Sequence, residues 1–121
     1  NTTSYLKERL PDYANISNPL DMTVTLSYDA DKLSDALITI MSQDNIDMIL
    51  FGYTLLHQID DPCIYYMIEA IKKVKEKLCD KMKPIFIMSF MSNTRNQDSI
   101  EKLLDLGVVC LPSPKMKILK L

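Results

Sequence analysis

Patterns typical of helices and of short apolar strands alternate along this chain, and that alternation limits the possible folds more than any other feature. Strands are predicted at residues 48–51, 83–90 and 108–111, and amphipathic helices precede or separate them. Strand–helix–strand units of this kind join parallel strands by right-handed crossovers. Because the strand runs are almost continuously apolar, we expect helices to cover both faces of the sheet. The sequence predicts one α/β domain.

Side chains suited to helix capping mark where the first two predicted helices begin. Asp29 or Asp31 is suited to cap a helix that runs to about residue 42. Asp61 is a suitable cap for a second helix, with Pro62 in its first turn. A cluster of lysines on this helix is interpreted as its solvated side. The predicted inward stripe consists of Ile64, Met67, Ile68, Ile71, Val74 and Leu78.

The third helix is predicted from a capping box in which Thr94 precedes Gln97 by three residues. Gly107 is the expected left-handed residue that ends this helix. Ser113 and Pro114 have the pattern of a cap and first position of one more helix. The first, second and third helices would then each lead into a strand.

Composition and charge narrow the classes of partner. The 121 residues carry a net charge of -2, with a pI near 5.3, so the chain lacks the positive field that attracts nucleic acid or acidic membranes. Its apolar runs fall far short of the roughly 20 residues that span a bilayer. We therefore expect a soluble, cytoplasmic protein that binds neither nucleic acid nor membrane.

Few residues are suited to catalysis. With only Gly52 and Gly107, the chain has no Walker A or dinucleotide-binding loop. His57 is either a base or phosphate carrier or, as we prefer, a surface histidine. Asp60 and Asp61 are better explained by capping than as an acid–base pair. We predict no catalytic residue and no metal site in this chain.

Cysteine and methionine usage favours structural roles. Cys63 and Cys79 point to nearly opposite faces of one predicted helix, so they cannot share a metal, and Cys110 lies in a predicted strand. Several methionines fall at positions predicted to lie in the core, where they would fill gaps. These four are Met41, Met48, Met67 and Met88.

The stretch SNPLDMT at residues 17–23 predicts a turn at Asn-Pro followed by a short strand over residues 20–25. Together with the preceding LPDYANI, it resembles the segment "LP, a few residues, then NP-V-D-L-T" of the NDP-forming acyl-CoA synthetases, which include ADP-forming acetyl-CoA synthetases and, more distantly, succinyl-CoA ligase. The resemblance continues in order through QDNIDMILF, DDP, KPIFIMSF and GVVCLPSP. Its strongest match is Asn18, Pro19, Asp21 and Thr23.

The resemblance implies a flavodoxin-like three-layer sandwich, with residues 1–121 forming one ligase-CoA (succinyl-CoA-synthetase-like) domain of a larger multidomain protein. The parent would be an acid–thiol ligase that uses CoA, ATP or another NTP, and Mg. Its phosphohistidine would lie on a companion CoA-binding domain and its nucleotide on an ATP-grasp domain. This domain would bind no cofactor, be inactive alone, and present a helix N-terminus to the phosphohistidine. Tyr53, Thr54, Leu55 and Leu56 would form the phosphate-facing loop.

Two further expectations follow. An alternative to the synthetase domain is a non-catalytic, ligase-like module for interaction or regulation. In a flavodoxin-like strand order of 2-1-3-4-5, the first strand would lie upstream of residue 1 and would be missing from this fragment. The strand at 48–51 would then have an open edge, so that residues 20–25 shift inward or another chain pairs with it, giving a homo-oligomer.

Overall fold

The computed structural model describes residues 2–55, 61–90 and 96–112. The three apolar strands and the three helices predicted with them occur in the predicted order, two short helices that were not predicted precede them, and a short 3-10 turn at Cys79–Lys81 follows the fourth helix. The helices are α1 (Thr2–Lys7), α2 (Thr23–Ser27), α3 (Ala30–Met41), α4 (Pro62–Leu78) and α5 (Gln97–Asp105), and the strands are β1 (Ile49–Gly52), β2 (Ile85–Met88) and β3 (Val109–Leu111).

The three described strands form one parallel sheet in the order β1-β2-β3. In the register across the sheet, Phe51 lies beside Ile87, and Ile87 lies beside Cys110. Both connections, through α4 and through α5, join neighbouring parallel strands. The predicted α/β class and the parallel sheet are therefore confirmed.

The described helices cover only one face of this sheet. Two right-handed crossovers that advance in the same direction place their helices on the same side, and α3 packs against α4 there. Phe51 and Ile87 face this layer and are buried, whereas Leu50 is 53% exposed and Met48 is 57% exposed. The expectation of cover on both faces is wrong for the described residues, which form two layers.

The core lies between the inner sheet face and the helices. The predicted α4 stripe is confirmed: its first five residues are buried, and Leu78, at the end of the helix, packs partly buried against the core. Met41 and Met67 are buried as predicted, but Met48 lies on the open face. A large apolar group is fully enclosed, namely Leu26, Leu33, Leu37, Ile71, Val74, Ile85, Ile87, Leu103 and Val108.

The observed helix caps agree with two of the three predictions. Asp29 accepts a hydrogen bond from the Lys32 N–H at 3.0 Å and caps α3, and Asp61 caps α4. The cap of α5 is Asn96, whose side chain accepts from the Ser99 N–H at 3.1 Å; Thr94 lies outside the described residues.

Gly107 has φ +84°, the left-handed conformation predicted for the end of α5. The helix predicted from Ser113 and Pro114 lies outside the described residues. None of the described helices is both long and apolar enough to cross a membrane.

The SNPLDMT segment departs from its prediction. The Asn18–Pro19 peptide bond is cis, and the chain then enters α2 at Thr23 instead of forming a strand. Asp21 favours this turn because its carboxylate accepts a hydrogen bond from the Thr23 N–H at 3.0 Å. Leu26 is fully buried one turn later. The predicted strand over residues 20–25 is therefore wrong, and this segment does not move in to pair with β1.

Candidate functional site at the carboxyl edge of the sheet

Residues 53–55 continue from β1 at the carboxyl edge of the sheet, where α/β proteins bind ligands. Tyr53 extends the pairing with β2, since its N–H donates to the Met88 carbonyl at 3.1 Å. Leu55 is buried, and its carbonyl accepts a hydrogen bond from the Asn96 N–H at 3.2 Å. This hydrogen bond connects Leu55, in the loop after β1, to the N-cap residue of α5.

The N-terminus of α4 lies beside this loop and carries its own acidic cap. One carboxylate oxygen of Asp61 accepts from the Cys63 N–H at 3.0 Å, and the other accepts from the Tyr53 hydroxyl. Burial, and then the hydrogen bond to the Asp61 carboxylate, raise the pKa of the Tyr53 hydroxyl well above its usual value. The hydrogen bond between Tyr53 and Asp61 therefore joins the residue after β1 to the N-terminus of α4.

The two helix N-termini at this edge differ in charge. Asp61 caps α4 with a carboxylate, whereas Asn96 caps α5 with a neutral amide. Because a helix N-terminus carries partial positive charge, and because Asp98 in the first turn of α5 is already paired with Lys102, the α5 end is the better place for a negatively charged group. The Asp61 carboxylate at the α4 end is better suited to accept a hydrogen bond from a ligand than to bind a negatively charged group.

An aromatic pair lies next to the first turn of α4. The rings of Tyr28 and Tyr66 have centroids 6.1 Å apart and planes inclined at 58°. The pKa of the Tyr28 hydroxyl is raised, mainly because of a side-chain hydrogen bond with Cys63. Sequence patterns did not indicate this grouping, which depends on contact between α2 and α4.

The structure brings three of the four predicted loop residues together. Tyr53, Thr54 and Leu55 lie consecutively at the carboxyl edge, while Leu56 falls outside the described residues, as do His57 and Asp60. Within residues 2–55, 61–90 and 96–112, no group of three or more histidine, cysteine or acidic side chains is arranged to hold a metal ion.

The four motif residues of the SNPLDMT segment line a separate cleft of about 830 Å³. Asn18, Pro19, Asp21 and Thr23 line it together with the residues of β1. Sequence reasoning predicted an open strand edge at this position but not the cleft beside it. The motif and the loop after β1 therefore belong to neighbouring sites that share Tyr53.

We expect the Tyr53→Phe variant to lower the free energy of unfolding by about 1 kcal/mol at neutral pH, because one hydrogen bond to Asp61 is lost. The raised pKa means that Tyr53 stabilises the fold fully below its ordinary pKa of 10.0, and that this contribution falls as the pH rises above that value. Urea unfolding between pH 7 and 11 should therefore show a smaller alkaline loss in the variant. Tyr13→Phe, at an 82% exposed position, is the control; an equal effect there would contradict the prediction.

Comparison with known proteins gave no relative: the scan of family models and the searches of curated proteins and of solved structures each found no match.

Proposed function

We propose that this chain is the non-nucleotide-binding domain of an NDP-forming acyl-CoA synthetase, which converts an acid, CoA and a nucleoside triphosphate into acyl-CoA, NDP and phosphate. The observation that carries the proposal is the position of Tyr53, Thr54 and Leu55, which meet the N-termini of α4 and α5 at the carboxyl edge of the sheet. The resemblance assigns its phosphate-facing loop to these residues. The parallel α/β order of the chain agrees with it.

In this proposal the domain holds a companion phosphohistidine without reacting itself. The Asn96 cap is neutral, and Asp98, the acidic side chain in the first turn of α5, is ion-paired with Lys102 at 2.7 Å, so this end would face the phosphoryl group. The Asp61 carboxylate would accept a hydrogen bond from the companion imidazole N–H. The CoA-binding domain would supply the histidine, and an ATP-grasp domain would supply the nucleotide and Mg.

A second candidate is a ligase-like module that serves interaction or regulation. The observation in its favour is the acidic cap of α4, because the Asp61 carboxylate repels a phosphoryl group that approaches that helix end. The large apolar cleft beside β1 also suits binding of a partner. In this case the parent protein would form no acyl-CoA.

The test compares charge variants in the full-length parent. Asn96→Asp keeps a capping side chain and adds negative charge at the α5 N-terminus, so we expect the rate of acyl-CoA formation to fall about tenfold or more. Asn45→Asp adds the same charge at an exposed turn before β1, near the opposite edge, and should leave the rate unchanged. Acid-labile phosphate on the enzyme and CoA thioester are the two readouts.

Two outcomes separate the candidates. Equal rates for Asn96→Asp, Asn45→Asp and the unmodified parent would contradict the role assigned to the α5 N-terminus. A parent that forms neither acid-labile phosphate nor thioester with any acid tested would favour the interaction module.

A further inference from the structure

The Tyr53 side chain joins two parts of the carboxyl edge that are separated along the chain. Its hydroxyl donates a hydrogen bond to one oxygen of the Asp61 carboxylate, which lies eight positions later. The Tyr53 backbone is held by the sheet, because its N–H donates to the Met88 carbonyl at 3.1 Å. The other oxygen of Asp61 accepts from the Cys63 N–H at 3.0 Å. The carboxylate is therefore held by the sheet on one side and by α4 on the other.

This arrangement fixes the direction of the Asp61 carboxylate. The terminal torsion of an aspartate has a broad energy minimum, so a carboxylate that is held through one oxygen can still rotate. The Tyr53 hydroxyl binds the second oxygen and limits that rotation. An ionised carboxylate has about four acceptor positions, so two hydrogen bonds leave space for a further donor. Asp61 is half-buried, and a donor can therefore reach it from solvent.

The direction of this carboxylate matters because the two helix caps at this edge lie close together. Tyr53, Asp61 and Asn96 line the same small cavity, of about 10 Å³, together with the buried Ser99. The Asn96 side chain is itself fixed, since it accepts from the Ser99 N–H at 3.1 Å. A group that contacts both caps must match the separation between them. Tyr53 sets that separation on the Asp61 side.

We infer that Tyr53 is the positioning residue of the proposed synthetase site: it directs the Asp61 carboxylate towards the companion imidazole and does not contact the reacting atoms. The inference rests on the proposed function, in which Asp61 accepts from the imidazole N–H while the α5 N-terminus faces the phosphoryl group. Burial, and then the hydrogen bond to Asp61, raise the pKa of the Tyr53 hydroxyl, so it stays protonated and keeps donating at neutral pH.

The test measures acyl-CoA formation by the full-length parent with Tyr53→Phe. This variant keeps the ring and loses the hydroxyl that directs Asp61. We expect kcat to fall about tenfold or more, because misplacing a group by about 1 Å at such a site costs up to about 100-fold in rate. The KM values for the acid, CoA and the nucleotide should change less than about twofold, since Tyr53 would contact none of the three.

Ile71→Val is the control that separates positioning from stability. It shortens a fully buried side chain of α4, at a cost in stability similar to that of one lost hydrogen bond. Its kcat should equal that of the unmodified parent. Equal losses of kcat for Ile71→Val and Tyr53→Phe would overturn the inference, because a general loss of stability would then explain both.

A double-mutant cycle tests whether Tyr53 acts through Asp61. Asp61→Asn keeps an oxygen for the Cys63 N–H but presents no second acceptor to Tyr53. This change alone should lower kcat, and the addition of Tyr53→Phe should lower it by less than about twofold more. Additive losses would overturn the inference. An unchanged rate for Asp61→Asn would overturn it too, because Tyr53 would then have no group to position.

The same measurements distinguish a failure of this inference from a failure of the proposed function. A parent that forms the thioester at an equal rate with and without Tyr53→Phe would overturn the inference and leave the proposed function in place. A parent that forms no thioester with any acid tested would overturn the proposed function, and the positioning role with it.

Discussion

Replacing Ile71 with alanine is expected to lower the free energy of unfolding by about 3 kcal/mol, within the range for Ile→Ala changes in protein cores. Ile71 lies in the middle of α4 and has no exposed surface. It belongs to the apolar cluster between the helices and the inner face of the sheet, so the shortened side chain leaves a cavity that rigid neighbours cannot fill. Urea denaturation followed by circular dichroism gives the difference, with an unchanged slope against urea concentration as the two-state check.

Leu104→Ala is the matched control because it removes a similar apolar volume from α5, where Leu104 is 51% exposed. Its effect should stay within about 0.5 kcal/mol. Equal losses for the two variants would contradict the assignment of α4 to the centre of the core.

The second large effect is expected for Asp61→Ala, which should lower the free energy of unfolding by about 2 kcal/mol. The change removes the cap of α4, whose carboxylate accepts from the Cys63 N–H. It also leaves the Tyr53 hydroxyl without its acceptor. The same urea experiment measures the loss.

Asp61→Asn separates the capping role from the charge. Asparagine caps helices about as well as aspartate and keeps one oxygen that accepts from the Cys63 N–H, while its NH2 group can only donate towards the Tyr53 oxygen. We expect it to lose less than half as much stability as Asp61→Ala. If both variants lose the same amount, the second carboxylate oxygen and its charge, and not the cap of α4, hold this site together.

The positions of α3, α4 and α5 were predictable because their determinants lie close together in the sequence, whereas α1 and α2 were not predicted. Asp29 and Asp61 each lie directly before an apolar stripe with a period of 3.6, and both cap as predicted. For α5, the chain offers two capping candidates, Thr94 and Asn96, and the capping-box pattern favoured the wrong one. Asn96 lies three residues before Ser99, a spacing that equally permits its observed hydrogen bond.

The exposed face of the sheet was not predictable from local patterns. Residues 48–51 are uniformly apolar, and such a run does not reveal whether one or both faces are covered. The direction of the crossovers decides this, and it places both connecting helices on the side of Phe51, away from Leu50. Similarly, the alternation in SNPLDMT is too short to distinguish a strand from a turn that Asp21 holds by a local hydrogen bond.

The candidate site was only partly predictable. The loop from Tyr53 to Leu55 was expected at the carboxyl edge because it follows an apolar strand. The hydrogen bond from Tyr53 to Asp61 crosses a loop of the chain, and no periodic pattern predicts such a pair. The cleft beside β1 depends on how residues 16–24 pack against the rest of the fold, which is a tertiary property.

The contact between α3 and α4 bears on how the chain folds. It is the most extensive contact between helices of the described fold, and only β1 and its flanking loops separate the two helices in sequence. Ion pairing of Asp31 with Lys73 joins the same helices, although such exposed pairs add little stability. Contacts between segments so close in sequence are closed at a low entropic cost. We therefore expect α3, β1 and α4 to form the folding nucleus, and Ile71→Ala to act mainly by slowing folding in stopped-flow measurements.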